Sequence, residues 1–393
     1  MKELSGHTRK KLTYGFILIL GSVILSFVMV EAALRTLAHD RYHGARTLTS
    51  VPDNTKIWAP PENTVSYFRH PDTGERIELQ RNNMGLRMKY DVSASSLEAT
   101  RNIAFFGASF TENVRLPVQH TFPELFKFLV NIGDDKFEVL NFGVGAYGVD
   151  QSYLRYKELG TDIRKELDFV VVVVSAGDLW NPAKNKIAAL DESGKLILTP
   201  RGPRVPTFLK VIKELYITYF LIDVYDFLVS SPENNAKLER KQIKDINNRK
   251  AKVLPEKSEA TKLFNTIMLK WKSDVEAFGG KFKIVVVPLD DYWSVSETLD
   301  PHLPAIQLQE LFAQLVPNDE LSKLNFQNDP HWNESGNLLV AIALLMALRP
   351  ELELRQLEDS MLVAELRNYY RHFTNGWQPG RVGKFRIGTL TDK

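Results

Sequence analysis

The 393-residue chain contains no cysteine. That excludes disulfides, thiol nucleophiles and cysteine-ligated metal sites. It suits an oxidising compartment without establishing one. An excess of one charge is missing too: Lys+Arg 50 against Asp+Glu 48 leaves a formal net charge of +2. No basic stripe alternates with stacking aromatics, so no nucleic-acid partner is expected. His7, His39, His43, His70, His302 and His372 show no paired ligand spacing, so neither a metal nor a cofactor is expected. Internal repeats are absent as well.

Long uncharged apolar runs are lacking except near the start. Tyr14–Val30 (YGFILILGSVILSFVMV) is 17 residues without a charge, at the lower limit for a membrane span, and Ala32, Ala33 and Leu34 extend it if Glu31 reaches the interface. Lys2, Arg9, Lys10 and Lys11 precede it, which keeps the short N-terminus cytoplasmic and sends the rest across the membrane. A cleaved signal peptide is the rival reading, but Glu31 and Arg35 crowd the candidate cleavage positions. The expected organisation is a cytoplasmic tail at 1–13, an anchor at 14–35 and a connector at 36–100, of irregular structure or short strands, with Pro52, Pro60, Pro61 and Pro71. An α/β domain is expected at 101–350, carrying a helical insertion at about 190–270, and a C-terminal helix and tail occupy 351–393.

Within 101–350, strand and helix patterns alternate. The strands are expected at Asn102–Phe106, Phe137–Phe142, Phe169–Val174 and Phe282–Val287, and the helices at Phe122–Val130, Asp150–Leu159 and Gly336–Leu348. Phe169–Val174 (FVVVVV) is a continuous β-branched run, as a strand covered on both faces requires. Alternation of this kind gives right-handed βαβ units and a mostly parallel sheet. In the insertion, Thr207–Val229 is apolar but holds Lys210, Lys213, Glu214, Asp223 and Asp226. That reads as a core or cap helix, with a helix resting on the membrane surface as the alternative. Lysine-rich Ser230–Lys257 reads as a solvated face.

Three strand-to-helix turns end in chemistry-bearing residues: Gly107-Ala108-Ser109-Phe110-Thr111, Gly143-Val144-Gly145-Ala146-Tyr147-Gly148 and Gly177-Asp178. In a parallel sheet such turns share one edge. Asp329-Pro330-His331 lies far downstream. A hydroxyl needs a base to take its proton, and backbone N–H groups beside it can hold an oxyanion. The plainer reading makes Ser109 a helix cap that closes a capping box with Glu112. Trp332, His120 and Tyr147 read as packing residues before substrate contacts.

These blocks, in this order, resemble the SGNH (GDSL) hydrolase superfamily in its membrane-anchored bacterial form. The Gly107–Thr111 block stands for its Gly-Asp-Ser pattern, Asn141–Gly148 for its asparagine followed by glycines, Ala176-Gly177-Asp178 for its Gly-x-Asn, and Asp329-Pro330-His331 for its closing aspartate and histidine. The Asn83–Arg87 turn and the Glu31…Arg35 end of the anchor fit that group as well. The resemblance implies a flavodoxin-like three-layer sandwich with Ser109 as nucleophile, His331 as general base and Asp329 as its orienting carboxylate. The oxyanion donors it implies are the N–H groups of Ser109 and Ala146. Asp178 stands at or beside the family's asparagine, where an ionised carboxylate cannot donate. A protonated Asp178, a reoriented one, or Asn181 in its place are the open alternatives.

The resemblance further implies ester hydrolysis or O-acyl transfer outside the cytoplasm, by a single-pass protein of the bacterial inner membrane facing the periplasm or cell exterior. An acylated glycan of an envelope or exported polysaccharide, or another ester, is the implied substrate, with polysaccharide machinery as the implied partner. The alternative from a different class is a catalytically inactive protein of the same fold that binds a glycan or an envelope partner.

Overall fold

The computed structural model describes residues 6–38, 50–132, 136–202, 215–218, 220, 221, 224, 257–288, 295–317, 321, 323–354 and 364–366. The chain divides into two compact units, residues 1–48 with 204–249 and residues 49–203 with 250–393.

In the first unit, helix α1 (Gly6–Leu37) carries the apolar run. From Tyr14 onward it is long and apolar enough to cross a membrane, and none of its most apolar window is buried in the protein.

The second unit is built on five parallel strands: β1 (Arg101–Gly107), β2 (Phe137–Asn141), β3 (Phe169–Val174), β4 (Lys281–Val286) and β5 (Ala305–Gln307). Their spatial order is β2-β1-β3-β4-β5, the doubly wound flavodoxin-like arrangement, in which strand order reverses between β1 and β3 and ligands bind beyond the strand ends at that switch point. Period-two alternation sends Ile103, Phe105, Val171 and Val173 to one face and Ala104, Phe106, Val170 and Val172 to the other. Because both faces are covered, every residue of β3 is buried.

One face packs α3 (Phe122–Val130), α7 (Leu308–Leu315) and α8 (Glu334–Leu352); the other packs α4 (Val149–Glu158) and α6 (Lys257–Glu276). Helix α8 is also long and apolar enough to span a membrane, but its apolar window is 67% buried and forms core instead. The short α2 (Ser109–Glu112) comes directly after β1, and α5 (Gly177–Asn185) after β3.

Two expected boundaries are corrected. The connector is part of the unit of the sheet from residue 50 onward, and it holds short strands, as its sequence allowed: the antiparallel pairs Val51–Asp53 with Ile57–Ala59 and Thr64–Arg69 with Arg76–Arg81. In Arg76–Arg81 burial alternates with period two, with Ile77, Leu79 and Arg81 facing inward. The insertion is narrower than 190–270. Ala188–Leu190 and Leu196–Leu198 pair as a hairpin, and α6 belongs to the sandwich because Phe264, Ile267, Met268 and Trp271 are buried on the sheet. The expected helix at 207–229, except a few positions near 216, the lysine-rich 230–256 and most of the C-terminal helix and tail lie outside the described residues.

Candidate active site

Strand β1 stops at Gly107, whose φ is +153°; a Cβ there would strike the Thr111 hydroxyl and lie 2.6 Å from the carbonyl of Val173. Such a backbone is open to glycine and closed to most other residues. The chain then turns through Ala108 into α2, so that Ser109 is the first helical residue and Ala108 occupies the cap position without a side-chain hydrogen bond. The capping-box reading of Ser109 is thereby set aside. Its hydroxyl lies 2.6 Å from Nε2 of His331, 222 positions away in the chain.

His331 is held from behind. Its Nδ1 is 2.5 Å from Oδ1 of Asp329, and its backbone N–H donates to the same oxygen at 2.9 Å. A carboxylate at Nδ1 selects the tautomer with the proton there, leaving Nε2 to accept the serine proton. The second oxygen of Asp329 accepts from Nε of Arg115 at 2.7 Å. Partial burial by itself raises the pKa of Asp329, but the hydrogen bonds from His331 and Arg115 outweigh it and hold the group well below the usual carboxylate range. The Phe110 ring packs on the imidazole at 4.5 Å between centroids and on Trp332 at 4.6 Å. Trp332 is 4% exposed and part of the core, in keeping with its reading as packing.

The second loop is fastened to α2. The buried carboxylate of Glu112 takes the Gly145 N–H at 2.6 Å and an Arg81 N–H at 2.5 Å, so it joins the Gly143–Gly148 loop to Arg81 in place of closing a cap. The Asn141 carboxamide donates to the Thr111 carbonyl at 2.8 Å, and a Cβ on Gly143 would collide with the backbone N of Glu112. Trp58 Nε1 donates to the Gly145 carbonyl at 3.2 Å, while the buried Tyr147 hydroxyl donates to the Trp58 carbonyl at 2.5 Å. Tyr147 and the buried His120 therefore sit among packing residues.

Held this way, Ala146 adopts φ +61°. A left-handed alanine costs roughly 1–2 kcal/mol, strain of the kind that persists where surrounding contacts over-determine a functional loop. The N–H groups of Ser109 and Ala146 meet no acceptor among the described residues.

Asp178 is turned toward its own loop. It is 3% exposed, and its Oδ2 accepts the Ser175 N–H at 2.8 Å and the Ser175 hydroxyl at 3.0 Å. Burial pushes its pKa up to about 7; the Ser175 hydrogen bonds oppose that rise and the nearby Asp150 adds to it. The carboxyl closes its own turn on Ser175, as the reoriented alternative for this position has it. Asn181 lies one helical turn further along α5. Its Cβ is 2.8 Å from a Cβ built on Gly148, its Nδ2 is 3.8 Å from one built on Gly177, and no hydrogen bond engages its carboxamide among the described residues. It thus sits between the second and third strand-end loops.

Three contributors left no mark in the sequence pattern: Arg115, the Arg81–Glu112 pair and Asp72, whose carboxylate accepts the backbone N–H groups of Gln327 and Asn328 at 3.0 Å each. The Glu112 side chain was visible as a helix-start signal, but nothing in the spacing marks the two arginines or Asp72.

No protein-family model matches this chain, and no curated protein does either. Among solved structures it is similar to the crystal structure of a member of the lipolytic protein G-D-S-L family from Veillonella parvula DSM 2008. The identity is 11%, with 63% of this chain and 97% of that chain covered, at a TM-score of 0.31. A likeness that loose carries no argument about function, which rests on the geometry of the site.

Proposed function

We propose that the protein is a serine-dependent esterase or O-acyltransferase of the SGNH type, anchored by α1 with its catalytic unit outside the cytoplasm. The observation that carries this reading is the unbroken relay Ser109 Oγ–His331 Nε2 and His331 Nδ1–Asp329. In it, the Ser109 oxygen attacks an ester carbonyl while its proton passes to Nε2. Asp329 stabilises the imidazolium that forms, and the N–H groups of Ser109 and Ala146 receive the oxyanion with Asn181 as the side-chain donor. Collapse of the intermediate expels the alcohol, which takes the proton from His331, and leaves an acyl-Ser109. Water, or the hydroxyl of an acceptor, then attacks that acyl group with His331 again removing the proton. An O-acylated glycan of an envelope or exported polysaccharide is the substrate class that suits an anchored enzyme of this kind.

The test is a fluorophosphonate probe on the detergent-solubilised full chain. The wild type is expected to label covalently, and Ser109→Ala to lose all labelling. Labelling that survives in Ser109→Ala removes that residue from the role. A wild type that neither labels nor hydrolyses esters, while retaining glycan binding after Ser109→Ala and His331→Ala, replaces catalysis with the binding reading.

A further inference from the structure

Glu31 is the sole acid of the apolar helix, and it is buried, with 9% of its surface exposed. Its oxygens accept the backbone N–H groups of Tyr216 at 3.1 Å and Ile217 at 2.9 Å, 185 and 186 positions further on, while Arg35 one turn later pairs with it at 2.7 Å. The Arg35 guanidinium also lies 5.1 Å above the Tyr216 ring. Residues 216–218 are helical and preceded by a non-helical Leu215. Glu31 therefore caps the opening N–H groups of a helical segment that belongs to the insertion, where a carboxylate meets both unsatisfied donors and the positive end of the backbone dipoles.

The level of this contact is set by α1. Seventeen uncharged residues before Glu31 rise about 25 Å, close to the thickness of a hydrocarbon core, so Glu31 falls at the outer edge of the bilayer when α1 spans it. The segment it caps begins with eight uncharged residues, Leu215–Ile222 (LYITYFLI), three of them aromatic, bounded by Lys213-Glu214 and Asp223. Aromatic side chains of this kind concentrate at membrane interfaces. Phe220 and Leu221 are 37% and 56% exposed, and they lie in the same compact unit as the exposed apolar side chains of α1. A single exposed leucine needs no explanation. Two neighbouring exposed apolar side chains on a segment latched to the end of an anchor are a different matter, because the latch holds them at the level of Glu31.

We infer that the segment opening at Tyr216 is a second membrane-contacting element, held at the outer interface by the Glu31 cap, with the bilayer as its occupant. It rests on α1 as a span and is independent of the catalytic reading.

The cysteine-free chain permits a direct test. Full-length Phe220→Cys, Leu221→Cys, Leu25→Cys and Ile197→Cys variants are labelled with an environment-sensitive fluorescent maleimide and reconstituted into vesicles of phosphatidylethanolamine and phosphatidylglycerol. Quenching by a nitroxide-labelled lipid is compared with quenching by aqueous iodide. Labels at 220 and 221 are expected to follow Leu25→Cys, with lipid quenching at least twofold stronger than at Ile197→Cys and weaker iodide access. Adding Glu31→Ala is expected to reduce lipid quenching at 220 at least twofold, whereas Glu31→Gln, which keeps an acceptor oxygen, retains most of it. Iodide access equal to that at Ile197→Cys overturns the proposal, as does shielding from both quenchers with cross-linking between copies, which assigns the surface to a second copy. Unchanged quenching in Glu31→Ala overturns the latch. If Leu25→Cys itself escapes lipid quenching, the span and this element fail together.

Discussion

Asp329 accepts three hydrogen bonds, and the one from Arg115 has the clearest consequence for chemistry. A carboxylate left free on its second oxygen rotates and carries the imidazole with it; the Arg115 bond fixes that rotation. The same cation competes with the imidazolium for the carboxylate charge. Arg115→Gln is therefore expected to lower kcat on an activated ester about tenfold, an effect of roughly 1.4 kcal/mol, with little change in KM. A loss confined to KM, with kcat unmoved, would remove Arg115 from positioning the relay. Ala146 illustrates the opposite case, a residue whose side chain does nothing but whose backbone is held in a left-handed conformation by the bonds on either side.

Among elements, the Thr64–Arg81 hairpin reaches both halves of the site. Its turn supplies Asp72 to the loop that carries Asp329 and His331, Phe68 lies 5.7 Å beneath the Arg115 guanidinium, and its last residue, Arg81, pairs with Glu112 on α2. The side chains of Arg81 and Glu112 are 1% and 5% exposed. Removing one partner of so buried a pair strands the other charge, which typically costs about 3–5 kcal/mol, whereas removing both is far milder. Arg81→Met is accordingly expected to lower stability by about that amount, and Arg81→Met with Glu112→Gln to recover most of it, as read from urea midpoints of the solubilised protein. Additive losses in the double variant would show that the pair does not act as a unit. Asn337 plays a related part on α8: fully buried, it accepts from Asn113 at 2.6 Å and from the Phe122 N–H at 2.9 Å, tying the end of α2 to the helix that comes after His331.

At the scale of the whole molecule, stability should carry the signature of its buried acids. Burial pushes Asp178 up to about 7 and Asp150 up to about 6, from an ordinary 3.8. Between those values the folded protein holds protons that the unfolded chain has released, so stability falls as pH rises through the window. Asp329 works the other way: its depressed pKa lends stability above the ordinary carboxylate range and withdraws it on acidification. Asp178→Asn keeps a carbonyl acceptor for Ser175 but carries no titrating proton. Its unfolding free energy, read from urea titrations, is expected to exceed that of the wild type at pH 8 by on the order of a few kcal/mol, with the gap closing toward pH 4. A gap that stays constant across the range would mean that Asp178 does not gain its proton on folding.

Periodicity and punctuation in the sequence determined the class of fold. The β-branched run Phe169–Val174 and the helix Phe122–Val130 fall where the pattern put them, and the other strand and helix ends differ by a residue or two except at α8, which runs on to Leu352. Those signals are local, because burial on both faces of a strand and on one stripe of a helix is written into neighbouring residues. Ser109, Asp329 and His331 were legible for a similar reason: each sits at a strand end or beside a helix start with its own motif. Tertiary structure alone decided everything that depends on which distant groups meet. Among the alternatives left open for Asp178, the contact with Ser175 was chosen by folding, because a buried carboxyl takes the donors nearest to it. Arg81, Arg115 and Asp72 entered the site without a local motif of their own, since an ion pair between residues far apart in the chain leaves no periodic trace in either one.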